Sequence, residues 1–211
     1  MNTTIPKKLA VIQDIAGVGR CSLSAALPII SACRVQACPL PTAIFSNHTG
    51  YPSFYKKDLT ECIPDYLNQW RNLNRHFDGI YCGYLGSLTQ MQIISSYLQK
   101  EISSSPDTKI IITGIRDGDF FVNFIFDAAS GMADICRVPV SGSSRPGTGD
   151  IFTSIVAAKL LTGIPLNVCV KTAADFIATC TKASDEAGVP VCDGVIFENF
   201  LPLLAVQSDI V

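Results

Sequence analysis

The residues best suited to carry out a reaction are Gly147-Thr148-Gly149-Asp150, directly before the apolar stretch Ile151 to Thr162. Two glycines allow a tight backbone turn, and the N–H groups of a helix that starts here can converge on an anion. A carboxylate in the first helical turn is stabilised by the helix dipole and stays ionised. This arrangement suits phosphoryl transfer to an alcohol, with Asp150 accepting the hydroxyl proton. An ordinary glycine-rich loop before an acidic helix start is the alternative interpretation.

Three further loops follow segments that have the composition of buried strands. Lys8 to Asp14 is a short apolar run that leads into Gly17-Val18-Gly19-Arg20. The segment from Val35 to Ser46 ends in a polar loop that starts at Asn47, and Phe77 to Tyr84 ends in a glycine-containing loop. Because ligands bind beyond the carboxyl ends of the strands in parallel sheets, we expect these loops to open on one site.

Helical spacing of apolar residues alternates with these strands over most of the chain. This pattern predicts an α/β fold, a mostly parallel central sheet flanked by helices on both faces, as one domain over residues 1–211. We expect Ser22 to cap the first helix and Pro64 to break or kink the second. The remaining predicted elements are the helices Ser22–Ala32, Asp58–Trp70, Thr89–Lys100, Ile151–Thr162 and Leu166–Ala183, the strand Lys109–Gly114, and a hairpin of Phe120–Phe126 with Met132–Val138.

Composition excludes several classes of protein. The chain has 211 residues, a formal net charge of −2 and nine cysteines. The slight negative charge gives no support to nucleic-acid binding. No apolar run reaches the roughly 18 residues of a membrane span, and the first residues lack a secretory signal, so we expect a cytoplasmic protein with reduced thiols. With only His48 and His76, and no Cys/His cluster at ligand spacing, a zinc site is not expected.

Four segments resemble a known family. Gly147-Thr148-Gly149-Asp150-Ile151-Phe152 is similar to the G-x-G-D motif of the ribokinase-like superfamily. Phe45-Ser46-Asn47-His48-Thr49-Gly50-Tyr51 resembles the F-S-N-H-T substrate loop of its pyridoxal kinase branch, and Gly83-Tyr84 and Ile112-Thr113-Gly114 resemble two of that branch's strand ends. The matches keep the family's order from about Lys8 onward. The resemblance implies a three-layer ribokinase-like fold, ATP and Mg²⁺ as cofactors, a B6 vitamer as the small-molecule substrate, and a possible homodimer.

The same resemblance implies roles for individual residues. Asp150 would be the catalytic base, and Gly147, Thr148 and Gly149 would hold the transferred phosphoryl group. Asp14 stands where many relatives carry a serine that binds the pyridine ring, and a carboxylate there can accept a bond from a protonated ring nitrogen or a phenolic hydroxyl. The other implied substrate contacts are Thr49, Tyr84 and His48, and the implied ATP contacts are Thr113 and Gly114. A core aromatic at Tyr84, a plain β-former at Thr113 and a turn cap at His48 are the alternatives.

One region departs from the family pattern. Between Lys100 and Lys109 the chain lacks a D-P motif and an N-x-x-E motif that in relatives help to place magnesium and the ATP phosphates. Three explanations stay open: the sequence as given omits residues of the real chain, the deletion is natural, or the region is rearranged. In the last case Asp117 or Asp119 would serve the metal, whose ligands remain unknown.

The sequence therefore predicts ATP-dependent phosphorylation of the hydroxymethyl group of pyridoxal, pyridoxine or pyridoxamine. Two alternatives remain. The first is a non-catalytic relative that binds a B6 vitamer or a nucleotide, which the missing motifs favour. The second is a hydroxymethylpyrimidine kinase, which the Gly147–Asp150 motif also fits.

Overall fold

The computed structural model describes residues 5–104, 109–118, 120–127, 131–139 and 145–205. Strands and helices alternate through the first half, and two long helices follow the last strand. The strands are β1 (Lys8–Val18), β2 (Gln36–Asn47), β3 (Lys56–Asp58), β4 (Gly79–Cys82), β5 (Lys109–Asp117), β6 (Phe120–Asp127) and β7 (Met132–Pro139). The helices are α1 (Ser22–Ala32), α2 (Ile63–Asn72), α3 (Leu88–Ser104), α4 (Thr148–Leu161), α5 (Leu166–Glu186) and α6 (Pro202–Ala205).

The strands form two sheets. The first has the order β3-β2-β1-β4, with β1 parallel to both β2 and β4 and the short β3 antiparallel at the edge. The second sheet, β5-β6-β7, is antiparallel throughout and includes the predicted hairpin of β6 and β7. Because β1, β2 and β4 run in the same direction, the loops that follow them lie at one edge of the sheet, as predicted.

Alternating residues of β1 supply the cores on the two faces of the first sheet. Leu9 and Val11 pack in one cluster with residues of α1, α4 and α5. Ile12, which points to the other face, packs in a second cluster with Leu40 of β2 and residues of α2 and α3. A strand that is apolar on both faces needs helices on both, so the three-layer α/β architecture predicted from the sequence is confirmed.

One local prediction was wrong and another is confirmed. Ser22 is the first residue of α1 and does not cap it, because its hydroxyl donates to Asp14 instead. The helical segment predicted from Asp58 breaks next to Pro64, because a 3-10 turn over Thr60–Cys62 ends there and α2 begins at Ile63; the proline lies in the first turn of α2, where it removes no intrahelical hydrogen bond. The two apolar segments before Asn47 form a single strand, β2.

The departure from the family pattern falls between α3 and β5. Residues 105–108 and Asp119 lie outside the described residues. Within the described part of the chain, β4 pairs with β1 alone, and β5 begins the separate antiparallel sheet. Among the described helices, none is long and apolar enough to cross a membrane.

Candidate active site

The turn before α4 requires glycine at one position. Gly147 has a φ of 82°, a conformation that L side chains rarely adopt, and a Cβ built on it would lie 1.8 Å from the carbonyl oxygen of Arg20. The helix begins at Thr148, whose hydroxyl donates to the Arg145 carbonyl at 3.0 Å. Gly149 has no atom within 4 Å of its would-be Cβ. The first turn of α4 therefore keeps open space beside N–H groups that have no partner within the helix.

Arg145 fixes this turn to the C-terminal part of α5 and the segment that follows it. Its side chain is buried, and its guanidinium donates to the carbonyl oxygens of Val189, Pro190 and Gly194 at 2.9 to 3.3 Å. It also pairs with the Asp185 carboxylate at 2.6 Å. A buried cation is stable only when paired and hydrogen-bonded, so Arg145 ties the phosphoryl-side turn to the 189–194 segment.

Asp150 of α4 accepts hydrogen bonds from residues of two strands, β1 and β4, and of another helix, α1. Its Oδ1 accepts from Gln13 Nε2 at 2.5 Å, and its Oδ2 accepts from the backbone N–H of Ser22 at 2.7 Å. Burial raises the pKa of Asp150, whereas these two bonds and a hydrogen bond from the Tyr81 hydroxyl act to lower it. The carboxylate is thus oriented from several sides, with a basicity above that of an ordinary aspartate.

Asp14 lies beside Asp150, and Ser22 bridges the two. The Ser22 hydroxyl donates to Asp14 Oδ2 at 2.8 Å while its N–H binds Asp150. Ser22 adopts a φ of 55°, which is uncommon for a residue with a side chain and is typical of functional sites. Burial raises the pKa of Asp14, the charge of Asp150 raises it further, and the hydrogen bond from Ser22 opposes the change. The site therefore carries two neighbouring carboxylates of elevated basicity.

His48 holds its own loop in place. Its Nδ1 accepts from the Gly50 N–H at 2.9 Å, and its Nε2 bonds the Cys192 carbonyl oxygen, which fixes the proton on Nε2. A Cβ on Gly19, whose φ is 106°, would lie 2.4 Å from the His48 ring. The structure therefore places this predicted substrate contact between the β1–α1 loop, its own loop and the 189–194 segment.

Thr49 and Tyr51 of the same loop differ from His48 in their contacts. Thr49 is exposed and lies at the turn, available to a ligand. The Tyr51 hydroxyl donates to the Asp193 carboxylate, which raises the pKa of Tyr51 to about 12. Arg20 also reaches this segment, with an ion pair to Glu198 at 2.7 Å. Residues 189–198 therefore join the two loops that border the carboxylates.

Tyr84 belongs to an aromatic group at the rim of the same region. The residue is 41% exposed, and its ring packs edge-on against Phe45 with 5.9 Å between centroids. Phe54 packs against Phe45 on the other side, at 5.7 Å. The Lys56 ammonium donates to the Tyr84 hydroxyl at 3.1 Å and lies 5.6 Å from the centroids of both the Phe45 and Tyr84 rings. Such a surface can stack a flat heterocycle.

The predicted nucleotide contacts lie apart from this group. Thr113 and Gly114 are in β5, at the irregularity in its pairing with β6, and β5 runs beside α4. Asp117 pairs with Arg137 at 3.2 Å on an exposed surface. Within the described ranges, no group of three or more His, Cys, Asp or Glu side chains is placed to hold a metal ion.

Five residues of this region were not predicted from the sequence. They contact predicted site residues or the turn that carries them, and they are Gln13, Ser22, Lys56, Tyr81 and Arg145. Gln13 is the residue that the sequence could have indicated, because a glutamine within an otherwise apolar buried strand needs a hydrogen-bond partner. An exposed lysine pair, a helix-start serine and a loop arginine are too common to stand out.

Comparison with known proteins adds to this geometry. No protein-family model matches the chain. A candidate phosphomethylpyrimidine kinase from Bacteroides thetaiotaomicron is 25% identical with a TM-score of 0.80, over 100% of this chain and 98% of that one. A second crystal form of that protein contains pyridoxal. Pyridoxal kinase from Lactobacillus plantarum is 19% identical with a TM-score of 0.75, over 95% and 97% of the two chains.

A third similar structure is pyridoxal kinase from Leishmania donovani in complex with ADP. It is 14% identical with a TM-score of 0.68, over 95% of this chain and 96% of that one. At this level of identity the likeness of the two pyridoxal kinases establishes the fold alone. The chain therefore has the ribokinase-like α/β fold that these pyridoxal kinases share with the Bacteroides protein.

Proposed function

We propose that this chain is an ATP-dependent kinase that phosphorylates the hydroxymethyl group of a B6 vitamer. The observation that carries the proposal is the setting of Asp150 in the first turn of α4, held by Gln13, Ser22 and Tyr81. The open space beside Gly149 gives a phosphoryl group access to the same turn. The pyridoxal found with the 25%-identical Bacteroides protein supports the choice of substrate.

The chemistry follows from these positions. Asp150 accepts the proton of the substrate hydroxyl as its oxygen attacks the γ-phosphorus of ATP. A new O–P bond forms, the bond from the γ-phosphorus to the β,γ-bridging oxygen breaks, and ADP leaves with that electron pair. Gly147, Thr148 and Gly149 present backbone N–H groups to the charge on the transferred phosphoryl group. Asp14, Thr49 and Tyr84 face the ring of the substrate in this proposal, and His48 supports their loop.

The described residues fit the two cofactors to different extents. The N-terminal turn of α4 fits an anionic phosphate chain, and we place Thr113 and Gly114 beside the nucleotide. Mg²⁺ usually binds through phosphates and one or two carboxylates rather than through a protein cage, and the described residues offer no cage. When bound, the metal would neutralise phosphate charge. We further propose that the enzyme is cytoplasmic and forms a homodimer. Size-exclusion chromatography can test the homodimer.

Hydroxymethylpyrimidine kinase activity is the second candidate. The name of the Bacteroides protein favours it, because a phosphomethylpyrimidine is the phosphate ester of the hydroxymethylpyrimidine alcohol. A protein that binds a vitamer without turnover is the third, since the D-P and N-x-x-E motifs are absent.

The deciding experiment supplies MgATP with pyridoxal, pyridoxine or the hydroxymethylpyrimidine and measures phosphorylated product and ADP. We expect the B6 vitamers to react, and Asp150→Asn to lower kcat by about a hundredfold or more. Asp65→Asn, an exposed aspartate of α2, is the matched control and should not change kcat. Absence of product with the unmodified protein overturns the kinase proposal, and full activity of Asp150→Asn removes its assigned role. Calorimetric binding of pyridoxal without turnover would establish the binding-only alternative.

A further inference from the structure

Lys56 is the charged residue beside the aromatic group formed by Phe45, Phe54 and Tyr84. The backbone of Lys56 pairs with that of Phe45 across the β2–β3 ladder. Its ammonium lies 5.6 Å from the centroids of the Phe45 and Tyr84 rings and uses one N–H on the Tyr84 hydroxyl. An ammonium has three donors, so two remain for a ligand that lies against these rings.

The charge of Lys56 is not consumed by an ion pair. Across the described ranges, the ion pairs involve other lysines and arginines. The nearby Asp58 carboxylate is occupied by the N–H and hydroxyl of Thr60 and lies 3.5 Å from the Gln90 amide. The Lys56 ammonium is therefore not in an ion pair with a carboxylate of the described residues and can meet a bound anion.

Lys56 and Asp14 carry opposite charges that interact. The charge of Lys56 lowers the pKa of Asp14 against the larger effect of burial, so the two groups are close enough to interact. A ring that carries a protonated nitrogen on one side and a negative oxygen on another complements this pair. Hydroxypyridines adopt this zwitterionic form. An aminopyrimidine instead presents an amine, which donates hydrogen bonds and offers no anionic oxygen to an ammonium.

We propose that Lys56 forms, with the Tyr84 hydroxyl, a subsite for the phenolate oxygen of a hydroxypyridine substrate. In this arrangement Asp14 accepts from the ring N–H while Lys56 donates to the phenolate. The subsite makes the enzyme select B6 vitamers over the hydroxymethylpyrimidine, although both carry the alcohol that Asp150 activates. This inference rests on the kinase function proposed above.

The test compares three substrates that share the reacting alcohol: pyridoxine, 3-deoxypyridoxine, which lacks the phenolic oxygen, and the hydroxymethylpyrimidine. Lys56→Met removes the charge from an exposed side chain, so folding is preserved. Lys57→Met is the matched control, because the alternation of the strand turns Lys57 to the opposite face. Lys56→Arg keeps the charge.

A hydrogen bond between charged groups predicts that Lys56→Met lowers kcat/KM for pyridoxine by about ten- to a hundredfold. The same variant should change kcat/KM for 3-deoxypyridoxine and the pyrimidine by less than about threefold, and Lys57→Met should change none. Lys56→Arg should retain most of the preference for pyridoxine. Equal losses on all three substrates, or no loss on pyridoxine, overturn the subsite while the kinase function stands. Absence of any phosphorylated product with the unmodified protein instead overturns the kinase function itself.

Discussion

Gln13 offers the sharpest test of how the fold prepares Asp150. Its side chain is 2% exposed, its Nε2 donates to Asp150 Oδ1 at 2.5 Å, and its Oε1 is buried without a hydrogen-bond partner. The substitution Gln13→Leu removes both the useful donor and the unpaired oxygen while keeping a side chain of similar size. Loss of the donor lowers the stability of the fold, and loss of the unpaired oxygen raises it. Only the loss of the donor changes the basicity of Asp150.

The magnitudes separate these effects. A hydrogen bond to a charged group contributes about 1.5–3 kcal/mol, and a buried unsatisfied oxygen costs about 1–3 kcal/mol. The free energy of unfolding of Gln13→Leu should therefore lie within about 1 kcal/mol of the unmodified protein. The lost donor stabilised the carboxylate form of Asp150, so its loss raises the pKa of Asp150 further. The acidic limb of the pH dependence of kcat/KM should move to higher pH by about one to two pH units.

The assay is the pH dependence of kcat/KM for pyridoxal, measured beside thermal unfolding. Gln90→Leu is the matched control, because Gln90 is equally buried but makes no hydrogen bond to Asp14 or Asp150. Its amide donates to the Thr42 carbonyl at 2.9 Å and Thr60 Oγ1 at 3.0 Å, and accepts from the Gly86 N–H at 2.7 Å. Gln90→Leu should lower stability by about 2 kcal/mol or more without moving the acidic limb.

Two results would refute this reasoning. An acidic limb that stays in place for Gln13→Leu would mean that Gln13 does not set the basicity of Asp150. A large loss of stability with an unchanged profile would assign Gln13 a purely structural role.

Four other predictions follow from the same contacts. Asp14→Asn should raise the free energy of unfolding by about 1 kcal/mol near neutral pH, because the elevated pKa of Asp14 means that its ionised form destabilises the fold. This gain should vanish as the pH falls and Asp14 of the unmodified protein is protonated. Thermal melts at several pH values check the sign. Gly147→Ala should lower the free energy of unfolding by about 3 kcal/mol or more in denaturant, because the added methyl meets the Arg20 carbonyl. Gly149→Ala should keep its stability but lose at least about tenfold in kcat. Full activity of Gly149→Ala would contradict its role in holding the phosphoryl group. His48→Ala should lose about 2–3 kcal/mol in the same unfolding assay and raise KM for the vitamer, and unchanged stability would contradict its role in holding the loop. An intact mass well above that of 211 residues would show that the molecule contains further residues, as the first explanation for the region between α3 and β5 requires, and a mass equal to it would support a deletion or a rearrangement.

Much of the framework follows from local sequence. In the apolar run of β1, Leu9 and Val11 need cover on one face and Ile12 needs it on the other, which is why helices on both faces could be predicted. The hairpin of β6 and β7 was marked by alternation and a turn, and α4 by its apolar length after Gly147. These signals depend on residues a few positions apart, where backbone sterics and burial act directly.

The sequence by itself determined the turn Gly147–Asp150, the parallel strands whose following loops open at one edge, and the residue types available there. The tertiary structure decided which of them meet. Gln13 and Asp150 are 137 residues apart, and the Ser22 bridge and the Lys56 charge depend on how parallel strands and loops converge. Contacts of this kind are absent from any local pattern, because register, helix packing and hydrogen-bond partners are fixed only when distant segments fold against each other.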